Sequence, residues 1–355
     1  MSYLINAAIV LINKFNPERP LIVDIKQNSL DDGPGIRTVL FLKGCALQCV
    51  WCQNPEAQNP DYELIFNSKN CIYCNKCFIN CEAISFSFDI KTNSKQINLD
   101  RNICNLCFNC VNLCPAEVFK IAGKYYEIGE LVELILSNFI FYKNTGGGIT
   151  LSGGEPLLFP KYIKKFISIL KQKFMEKFYY DLSICIETAG QFYFNDDVIF
   201  ILKNSDLIFY DIKIMDSSLH KRFCGVENSL ILNNFKTILN LDFIRIPENI
   251  SELDFKQKNS INKNTLLVPR MPLIPEITLT KENIIAFKQF MIENKIKIFN
   301  FLPYNPLWSE KSIILGKKVL YERKSWLSKE EKQIINEVFN SEDLNEKFSI
   351  LTYKI

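Results

Sequence analysis

The spacing of apolar and polar residues divides most of the chain into short strands that alternate with longer helices. Apolar runs bounded by turn residues predict strands at 21–25, 36–42, 148–152, 182–186, 206–210, 265–268 and 296–302. Stretches in which apolar residues recur every three or four positions predict helices over 128–142, 160–174, 197–203, 230–239, 281–294 and 329–339. Residues 3–15 fit a further helix packed on the domain, and the polar stretch 247–263 fits a loop.

Strands that alternate with helices at this spacing predict a parallel sheet and an α/β fold. The six strands from residue 36 onward are too few for an eight-stranded barrel and fit a partial (β/α)6 barrel of the TIM type. The unusual polar motifs of the chain follow the C-terminal ends of these strands. In parallel α/β folds that edge carries the functional site, so we expect the motifs to meet in one place.

Composition narrows the class of protein. The chain has 355 residues, 48% of them hydrophobic, and 42 Lys and Arg against 39 Asp and Glu give a net charge of +3. This balance gives no general case for a nucleic-acid partner, and no apolar run reaches the length of a membrane span. No signal peptide is recognisable near residue 1. We therefore expect a cytoplasmic, monomeric protein with neither nucleic acid nor membrane as a partner.

The chain has 13 cysteines, and eleven of them fall into three tight groups, a spacing typical of metal ligands. The first group, Cys45, Cys49 and Cys52, follows the strand predicted at 36–42. Three thiolates on one short loop can hold three irons of a [4Fe–4S] cube and leave the fourth iron open to a ligand. A three-cysteine zinc site and buried structural thiols are the alternatives at this point.

The other two groups repeat one spacing. The first set is Cys71, Cys74, Cys77 and Cys81, and the second set is Cys104, Cys107, Cys110 and Cys114. Such a duplication is typical of two-cluster bacterial ferredoxins, in which the fourth cysteine of each set binds the cluster of the other set. Cys114 is then assigned to the first set's cluster and Cys81 to the second set's, with two zinc sites as the alternative. The isolated Cys185 and Cys224 fit small buried hydrophobic residues.

Two of the strand-end motifs have a clear chemical interpretation. Gly153-Gly154-Glu155-Pro156 would let a ligand approach the backbone closely, and its carbonyls and the Glu155 carboxylate could accept hydrogen bonds from an ammonium group. A plain turn is the alternative. Asp211 and Lys213 lie two residues apart on one face of a strand end, where an exposed ion pair of little energetic value is the alternative.

The segment from Asp31 to Glu56 contains Asp-Gly-Pro-Gly-Ile-Arg-Thr, Lys-Gly-Cys and Trp-Cys-Gln-Asn-Pro-Glu around the first cysteine group. This string resembles the activating enzymes of glycyl radical enzymes, which belong to the radical S-adenosylmethionine (SAM) superfamily. The resemblance covers nearly the whole chain from Leu21 onward. It implies reductive cleavage of SAM to a 5′-deoxyadenosyl radical, which then removes a hydrogen from a glycine Cα of a partner enzyme. Ferredoxin-like inserts occur in the activating enzymes of the glycerol dehydratase, hydroxyphenylacetate decarboxylase, choline lyase and benzylsuccinate synthase types.

The resemblance also implies roles for the strand-end residues. The Gly153–Pro156 motif would hold the amino group of SAM. Lys213 and Asp211, the implied catalytic pair, would contact SAM, and Lys213 would reach the SAM carboxylate. Glu187 and Thr188, with Asp211, would bind a monovalent cation, and Glu187 stands where Asp is usual.

Three further residues are implied in SAM binding. Arg270 matches a family arginine, and His220 matches a histidine near the mouth of the site, although a lone histidine is usually structural. Asn305 stands where relatives have a histidine against SAM. An asparagine that simply caps the turn before Pro306 is the alternative.

The implied cofactors are three [4Fe–4S] clusters, SAM and a monovalent cation. The implied partners are a glycyl radical enzyme, whose glycine loop is the substrate, and a flavodoxin or ferredoxin as electron donor. Residues 1–58 would form the N-terminal segment, first barrel strand and radical SAM cluster loop, 59–122 the ferredoxin-like 2[4Fe–4S] insert, and 123–355 the rest of the barrel and the C-terminal helix. Two other functions stay open, a radical SAM enzyme acting on a small molecule and a non-catalytic ferredoxin-type electron carrier.

Overall fold

A computed structural model describes residues 18–79, 81–91, 93–255, 264–339 and 349–351 of the chain. The helix predicted at 3–15 and the end of the predicted loop, 256–263, lie outside the described residues. The described strands are β1 (Leu21–Ser29), β2 (Arg37–Lys43), β3 (Glu63–Phe66), β4 (Ile84–Asp89), β5 (Ser94–Leu99), β6 (Phe119–Ala122), β7 (Gly148–Gly153), β8 (Ser183–Thr188), β9 (Leu207–Asp211), β10 (Ile244–Arg245), β11 (Thr265–Leu273), β12 (Ile298–Pro303) and β13 (Ser349–Leu351).

The described helices lie mainly between these strands. They are α1 (Asn109–Leu113), α2 (Ile128–Ser137), α3 (Phe139–Thr145), α4 (Pro160–Phe178), α5 (Asp196–Lys203), α6 (Ser217–Cys224), α7 (Ser229–Leu239), α8 (Lys281–Glu293), α9 (Trp308–Ile314) and α10 (Lys329–Phe339). None of the helices described is long and apolar enough to cross a lipid bilayer.

Nine strands form one mixed sheet in the order β1-β2-β7-β8-β9-β11-β12-β13, with β10 paired to β11. Strand β1 is antiparallel to β2, and the other pairings in this sheet are parallel. The six strands predicted from residue 36 onward are therefore neighbours in chain order, and the α/β class is confirmed. Their carboxyl ends come together at one edge of the sheet.

The main apolar cluster packs this sheet against its helices. On α4 the residues Ile163, Phe166, Ile167 and Leu170 are buried and recur at helical spacing. Between β7 and β11 the central strands are buried along almost their whole length, as expected of parallel strands covered on both faces. Burial on both faces leaves the strand ends as the place where polar side chains reach solvent.

Several elements differ from the sequence-based prediction. The helix predicted at 128–142 is two helices, because Asn138 leaves helical geometry at ψ 7° and its side-chain amide donates to the carbonyl of Leu134 at 3.2 Å. Helix α6 was not predicted, since its eight residues are mostly polar; the Asp216 side chain caps it by accepting from the Leu219 amide at 2.7 Å. Strand β11 continues through Pro269 to Leu273, beyond the predicted end.

Residues of the predicted insert form a small unit with its own core. Strands β3 and β6 pair in antiparallel fashion at its base, and β4 and β5 form an antiparallel hairpin. Its apolar cluster is separate from the main one and is formed by Leu64, Cys77, Ile84, Ile97, Cys110, Val118 and Phe119. The first set of cysteines precedes β4 and the second set lies between β5 and β6.

Candidate functional site

A cavity of about 440 Å³ lies at the carboxyl edge of the parallel strands. Eleven of the residues predicted for the site line it: Cys45, Cys49, Cys52, Gly153, Gly154, Glu187, Thr188, Asp211, Lys213, Arg270 and Asn305. They come from the ends of six strands, because β2, β7, β8, β9, β11 and β12 run in the same direction. The structure therefore brings together in one cavity side chains that are up to 260 positions apart in the sequence.

The loop that carries the first cysteine group is fixed by backbone hydrogen bonds on both sides of Cys49. The Gln48 amide donates to the Cys224 carbonyl at 2.8 Å, and the Val50 amide donates to the Phe223 carbonyl at 3.0 Å. Both acceptors lie at the end of α6. The unpredicted helix thus positions the cysteine loop, and the isolated Cys224 lies beside it rather than in a remote part of the core.

The thiols of this loop have displaced pKa values. Burial raises the pKa of Cys45 and raises that of Cys52 to about 12, whereas a hydrogen bond with the Cys224 thiol lowers the pKa of Cys49. Iron binds the thiolate form, so cluster assembly must release protons from these thiols. Three soft sulfur ligands facing one cavity fit a [4Fe–4S] cluster with one open iron.

The two glycines after β7 allow the chain to pass close to the cysteine loop. Gly153 has φ +107°, and a Cβ atom built on it would lie 2.4 Å from the Leu42 amide nitrogen. A Cβ on Gly154 would lie 2.0 Å from the Gly44 carbonyl oxygen. Glycine is required at both positions because β7 ends directly against the segment that leads into Cys45.

Glu155 and Pro156 are not among the residues that line the cavity. The Glu155 carboxylate is fully buried and accepts from the Thr188 hydroxyl at 2.8 Å, the Leu157 amide at 3.2 Å and the Ala189 amide at 2.8 Å. Burial raises its pKa to about 7. Glu155 therefore ties the ends of β7 and β8 together beneath the cavity, and Pro156 begins a short 3-10 turn there.

A compact charge network forms one wall of the cavity. Arg270 Nε donates to Asp211 Oδ1 at 2.8 Å, Arg270 Nη1 donates to Glu187 Oε1 at 2.6 Å, and Lys213 Nζ donates to Asp211 Oδ2 at 3.0 Å. Burial would raise the pKa of Asp211, but Arg270 and Lys213 outweigh it and hold that pKa below its usual value. The side chains of Asp211 and Lys213 are only 16% and 13% exposed, so this pair is not a solvated surface contact.

The side-chain oxygens of the residues predicted to bind a monovalent cation already accept hydrogen bonds from other protein groups. The remaining Glu187 oxygen, Oε2, accepts from the Ser152 hydroxyl at 2.6 Å, so all four carboxylate oxygens of Glu187 and Asp211 are engaged. The Thr188 hydroxyl donates to Glu155 and accepts from the Gly190 amide at 2.9 Å. In this arrangement the Arg270 guanidinium lies between the two carboxylates.

Asn305 and His220 occupy different environments. Asn305 lines the cavity, accepts from the Leu307 amide through Oδ1 at 3.0 Å, and accepts from Gln53 Nε2 through its backbone carbonyl at 3.2 Å. His220 is 1% exposed, its Nδ1 lies 2.6 Å from the Val226 carbonyl oxygen, and it does not line the cavity. Burial lowers the pKa of His220, which fits a packed structural histidine.

Other cavity residues were not predicted. Ser152, Gln53, Asn54, Asp31 and Asp32 all line it. Ser152 is the last residue before the two glycines, and its position at the carboxyl end of a buried strand is the signal that could have identified it. The remaining four belong to the Asp31–Glu56 segment. In that segment only the cysteines have a spacing that indicates a ligand, so no local signal identified the other four.

Comparison with known proteins gives consistent matches. The 4Fe-4S single cluster domain family matches residues 31–88. A 4-hydroxyphenylacetate decarboxylase activating enzyme of Clostridioides difficile is 33% identical over 326 residues, which cover 90% of this chain and 92% of the relative. An isethionate sulfite-lyase activating enzyme of Desulfovibrio desulfuricans is 31% identical over 308 residues, which cover 85% of this chain and 88% of the relative.

A solved structure also matches. It is a domain of pyruvate-formate lyase-activating enzyme from Bacteroides vulgatus, 25% identical, with a TM-score of 0.37, and the match covers 58% of this chain and 99% of that domain. The alignments with the two sequence relatives cover most of this chain and most of each relative, and both relatives are named as activating enzymes. The chain therefore belongs to the radical SAM activating enzymes of glycyl radical enzymes.

Proposed function

We propose that Cys45, Cys49 and Cys52 hold a [4Fe–4S] cluster against which SAM binds in the cavity at the strand ends. The observation that carries this proposal is that the three thiols face the same cavity as the Gly153–Gly154 backbone and the Asp211, Lys213 and Arg270 charges. When bound, this cluster would supply the electron for reductive cleavage of SAM, and the 5′-deoxyadenosyl radical formed would remove the glycine hydrogen of the partner enzyme. The chain's own residues bind and orient SAM and exclude water.

Charge explains how this cavity would select the methionine end of SAM. Lys213 and Arg270 can each donate to a carboxylate. Among the described residues, the Lys213 ammonium group donates to Asp211 alone. The carbonyls of Gly153 and Gly154 can accept from the SAM amino group, since their lack of side chains leaves the backbone accessible. Asp211 fixes Lys213 in place, while Glu155 supports the backbone beneath. His220 has no direct contact in this proposal.

The cation has no role in this proposal because Arg270 supplies positive charge between Glu187 and Asp211. Each carboxylate oxygen already accepts from Arg270, Lys213 or Ser152. A bound monovalent cation would share these oxygens with the donors from which they already accept.

The proposal includes a partial (β/α)6 barrel with a ferredoxin-like insert over 59–122, between an N-terminal part, 1–58, and the remaining barrel, 123–355. Six parallel strands adjacent in chain order support the barrel, and a separate apolar cluster supports the insert. Cys71, Cys74, Cys77 and Cys114 would hold one cluster, and Cys104, Cys107, Cys110 and Cys81 the other. With the SAM-site cluster the protein would hold three.

The proposed macromolecular partner is a glycyl radical enzyme that presents its glycine loop at the cavity. A flavodoxin or ferredoxin would supply the electron, and the enzyme would act as a cytoplasmic monomer. The two relatives are named for a decarboxylase and a sulfite-lyase, so the activating role is shared among partners whose reactions differ.

The experiment mixes the anaerobically reduced holoenzyme with SAM and with candidate glycyl radical enzymes from the same organism. The expected results are formation of 5′-deoxyadenosine and an electron paramagnetic resonance (EPR) doublet that collapses to a singlet when the partner contains α-deuterated glycine. Cleavage of SAM without a radical on any such partner would favour a small-molecule substrate. A protein that does not cleave SAM at all would be an electron carrier, and the proposal would be wrong.

A further inference from the structure

Helix α9 follows Asn305 closely and contacts the segment after the first cysteine group. Lys311 Nζ donates to the Gln53 carbonyl at 3.2 Å, to Asn54 Oδ1 at 3.3 Å and to Glu56 Oε1 at 2.9 Å. Gln53 and Asn54 come directly after Cys52. One lysine of α9 therefore holds the end of the loop that carries Cys45, Cys49 and Cys52.

The same helix is held by an arginine of the insert. Arg101 Nη2 donates to the Ile314 carbonyl at the end of α9 at 2.9 Å, and Nη1 donates to the Leu64 carbonyl of β3 at 2.9 Å. Arg101 precedes the first cysteine of the second set, Cys104, by three residues. The guanidinium thus connects the start of the second set, the base of the insert and α9.

Gly316 leaves the space that Arg101 occupies. It has φ +70°, and a Cβ atom built on it would lie 2.1 Å from Arg101 Nε. Any side chain at this position would displace the guanidinium and would also be strained by the left-handed backbone. Arg101 can therefore reach the C-terminus of α9 only because residue 316 is a glycine.

A second insert contact with α9 is of a different kind. Lys69 and Glu310 form an ion pair at 3.2 Å, but their side chains are 79% and 76% exposed, and exposed pairs contribute little free energy. Within the insert, the second set packs on the base through Phe108, whose ring lies edge-on against that of Tyr62 at 6.3 Å. The first set contacts the hairpin of β4 and β5, where the Tyr73 hydroxyl donates to the Lys95 carbonyl.

We propose that Arg101 is a positioning residue that holds the second set of cysteines, rather than the first, against the loop of Cys45, Cys49 and Cys52. The group bound by Cys104, Cys107, Cys110 and Cys81 would then be the immediate electron donor to the SAM-site cluster. This last statement rests on the proposed function, because it needs clusters in the insert. The docking itself does not.

The docking is tested by hydrogen–deuterium exchange on the holoenzyme and on four variants. In Arg101→Ala and Gly316→Ala we expect exchange of residues 62–66 and 311–318 to become about tenfold faster, since a charged donor's hydrogen bond is lost. Arg101→Lys keeps a charge without the fork that reaches two carbonyls and should lie between. Lys69→Ala is the matched control and should exchange like the wild type.

The second readout is freeze-quench EPR after rapid reduction in the presence of SAM. Arg101→Ala and Gly316→Ala should reduce the insert clusters at the wild-type rate but the SAM-site cluster more slowly, with unchanged iron content. Wild-type exchange and wild-type reduction in both variants would overturn the proposal. An iron content of about four per chain would sink the two-cluster insert yet leave the docking, which exchange measures independently.

Discussion

At the scale of single residues, Glu155 and Asn305 show that a residue's position at a strand end does not determine where its side chain points. Glu155 belongs to the motif that borders the cavity, but its carboxylate points beneath the strand ends and meets three protein donors. Asn305 lines the cavity and caps the following turn through Oδ1. Each residue makes a prediction that separates a supporting role from direct contact with SAM.

Glu155 should make the enzyme less stable as pH rises. Its pKa is about 7 in the folded chain, against an ordinary value of 4.5 for glutamate, so above pH 4.5 the unfolded state releases its proton first. The folded state then loses about 3 kcal/mol of relative stability between pH 4.5 and 7 and little more above pH 7. Thermal unfolding of wild type and Glu155→Gln should show that the stability difference between them changes by about 3 kcal/mol across this range, because other titrating groups act equally in both.

Exposed Glu133 on α2 provides the control, because Glu133→Gln should leave the slope unchanged. A stability difference between wild type and Glu155→Gln that stays constant across this range would assign the slope to other groups.

Asn305→Ala should weaken SAM binding about fivefold, because one neutral hydrogen bond contributes about 1 kcal/mol. Asn305→Asp keeps the oxygen that caps Leu307 but removes the amide donor. If the amide donates to SAM, anaerobic calorimetry should show weaker binding in both variants. If binding weakens only in Asn305→Ala, the asparagine acts as a cap, and unchanged binding in both would remove it from the SAM site.

At the scale of elements, the strand ends determine the site. The end of β7 lies directly against the start of the cysteine loop, since a Cβ on Gly153 would lie 2.4 Å from the Leu42 amide nitrogen and one on Gly154 would lie 2.0 Å from the Gly44 carbonyl oxygen. The loop and the glycine motif must therefore move together.

Gly153→Ala should both destabilise the fold and disturb the first cysteine group. A backbone clash and a left-handed φ exceed what relaxation absorbs, and we expect a loss of roughly 3 kcal/mol or more. Gly129 in α2 has nothing within 4 Å of a built Cβ, so Gly129→Ala should instead gain about 0.5–1 kcal/mol. Chemical unfolding of both variants checks the signs. Equal stability in Gly153→Ala and wild type would contradict the packing argument.

The elements also show what the sequence can predict. Strands β2, β7, β8, β9, β11 and β12 were predicted because each is an apolar run, and the parallel order follows from the helices between them. Helix α6 lacked a usable apolar stripe, so neither it nor its contact with the cysteine loop was predicted. The orientation of Glu155 and the guanidinium between Glu187 and Asp211 depend on contacts between distant strands, which no local pattern encodes.

At the scale of the whole molecule, the insert and the sheet have separate apolar cores. Among the described residues, polar contacts with the insert include Arg101 to the Ile314 carbonyl of α9 and Lys43 of β2 to Glu63 of β3. Separate cores predict that the metal content of the insert does not depend on the first cysteine group.

Replacing Cys45, Cys49 and Cys52 together with Ala should abolish SAM cleavage and leave about eight irons per chain, the content of two cubes. Iron and sulfide analysis of the reconstituted variant measures this. The matched control replaces Cys185 with Ala, since this buried cysteine belongs to a different apolar cluster from the loop, and it should keep all the iron. Loss of all iron in the triple variant would show that the insert is not autonomous.

Strand β13 has a consequence for the synthesis of this protein. Its three residues, Ser349–Leu351, pair in parallel with β12 and cover the edge of the sheet. During synthesis, all the other strands of the sheet are made before β13. Until β13 pairs, the backbone groups of β12 that it will bond are unpaired. Exposed edges of this kind recruit other chains into aggregates, so the interval before β13 pairs is when the newly made polypeptide most needs a chaperone.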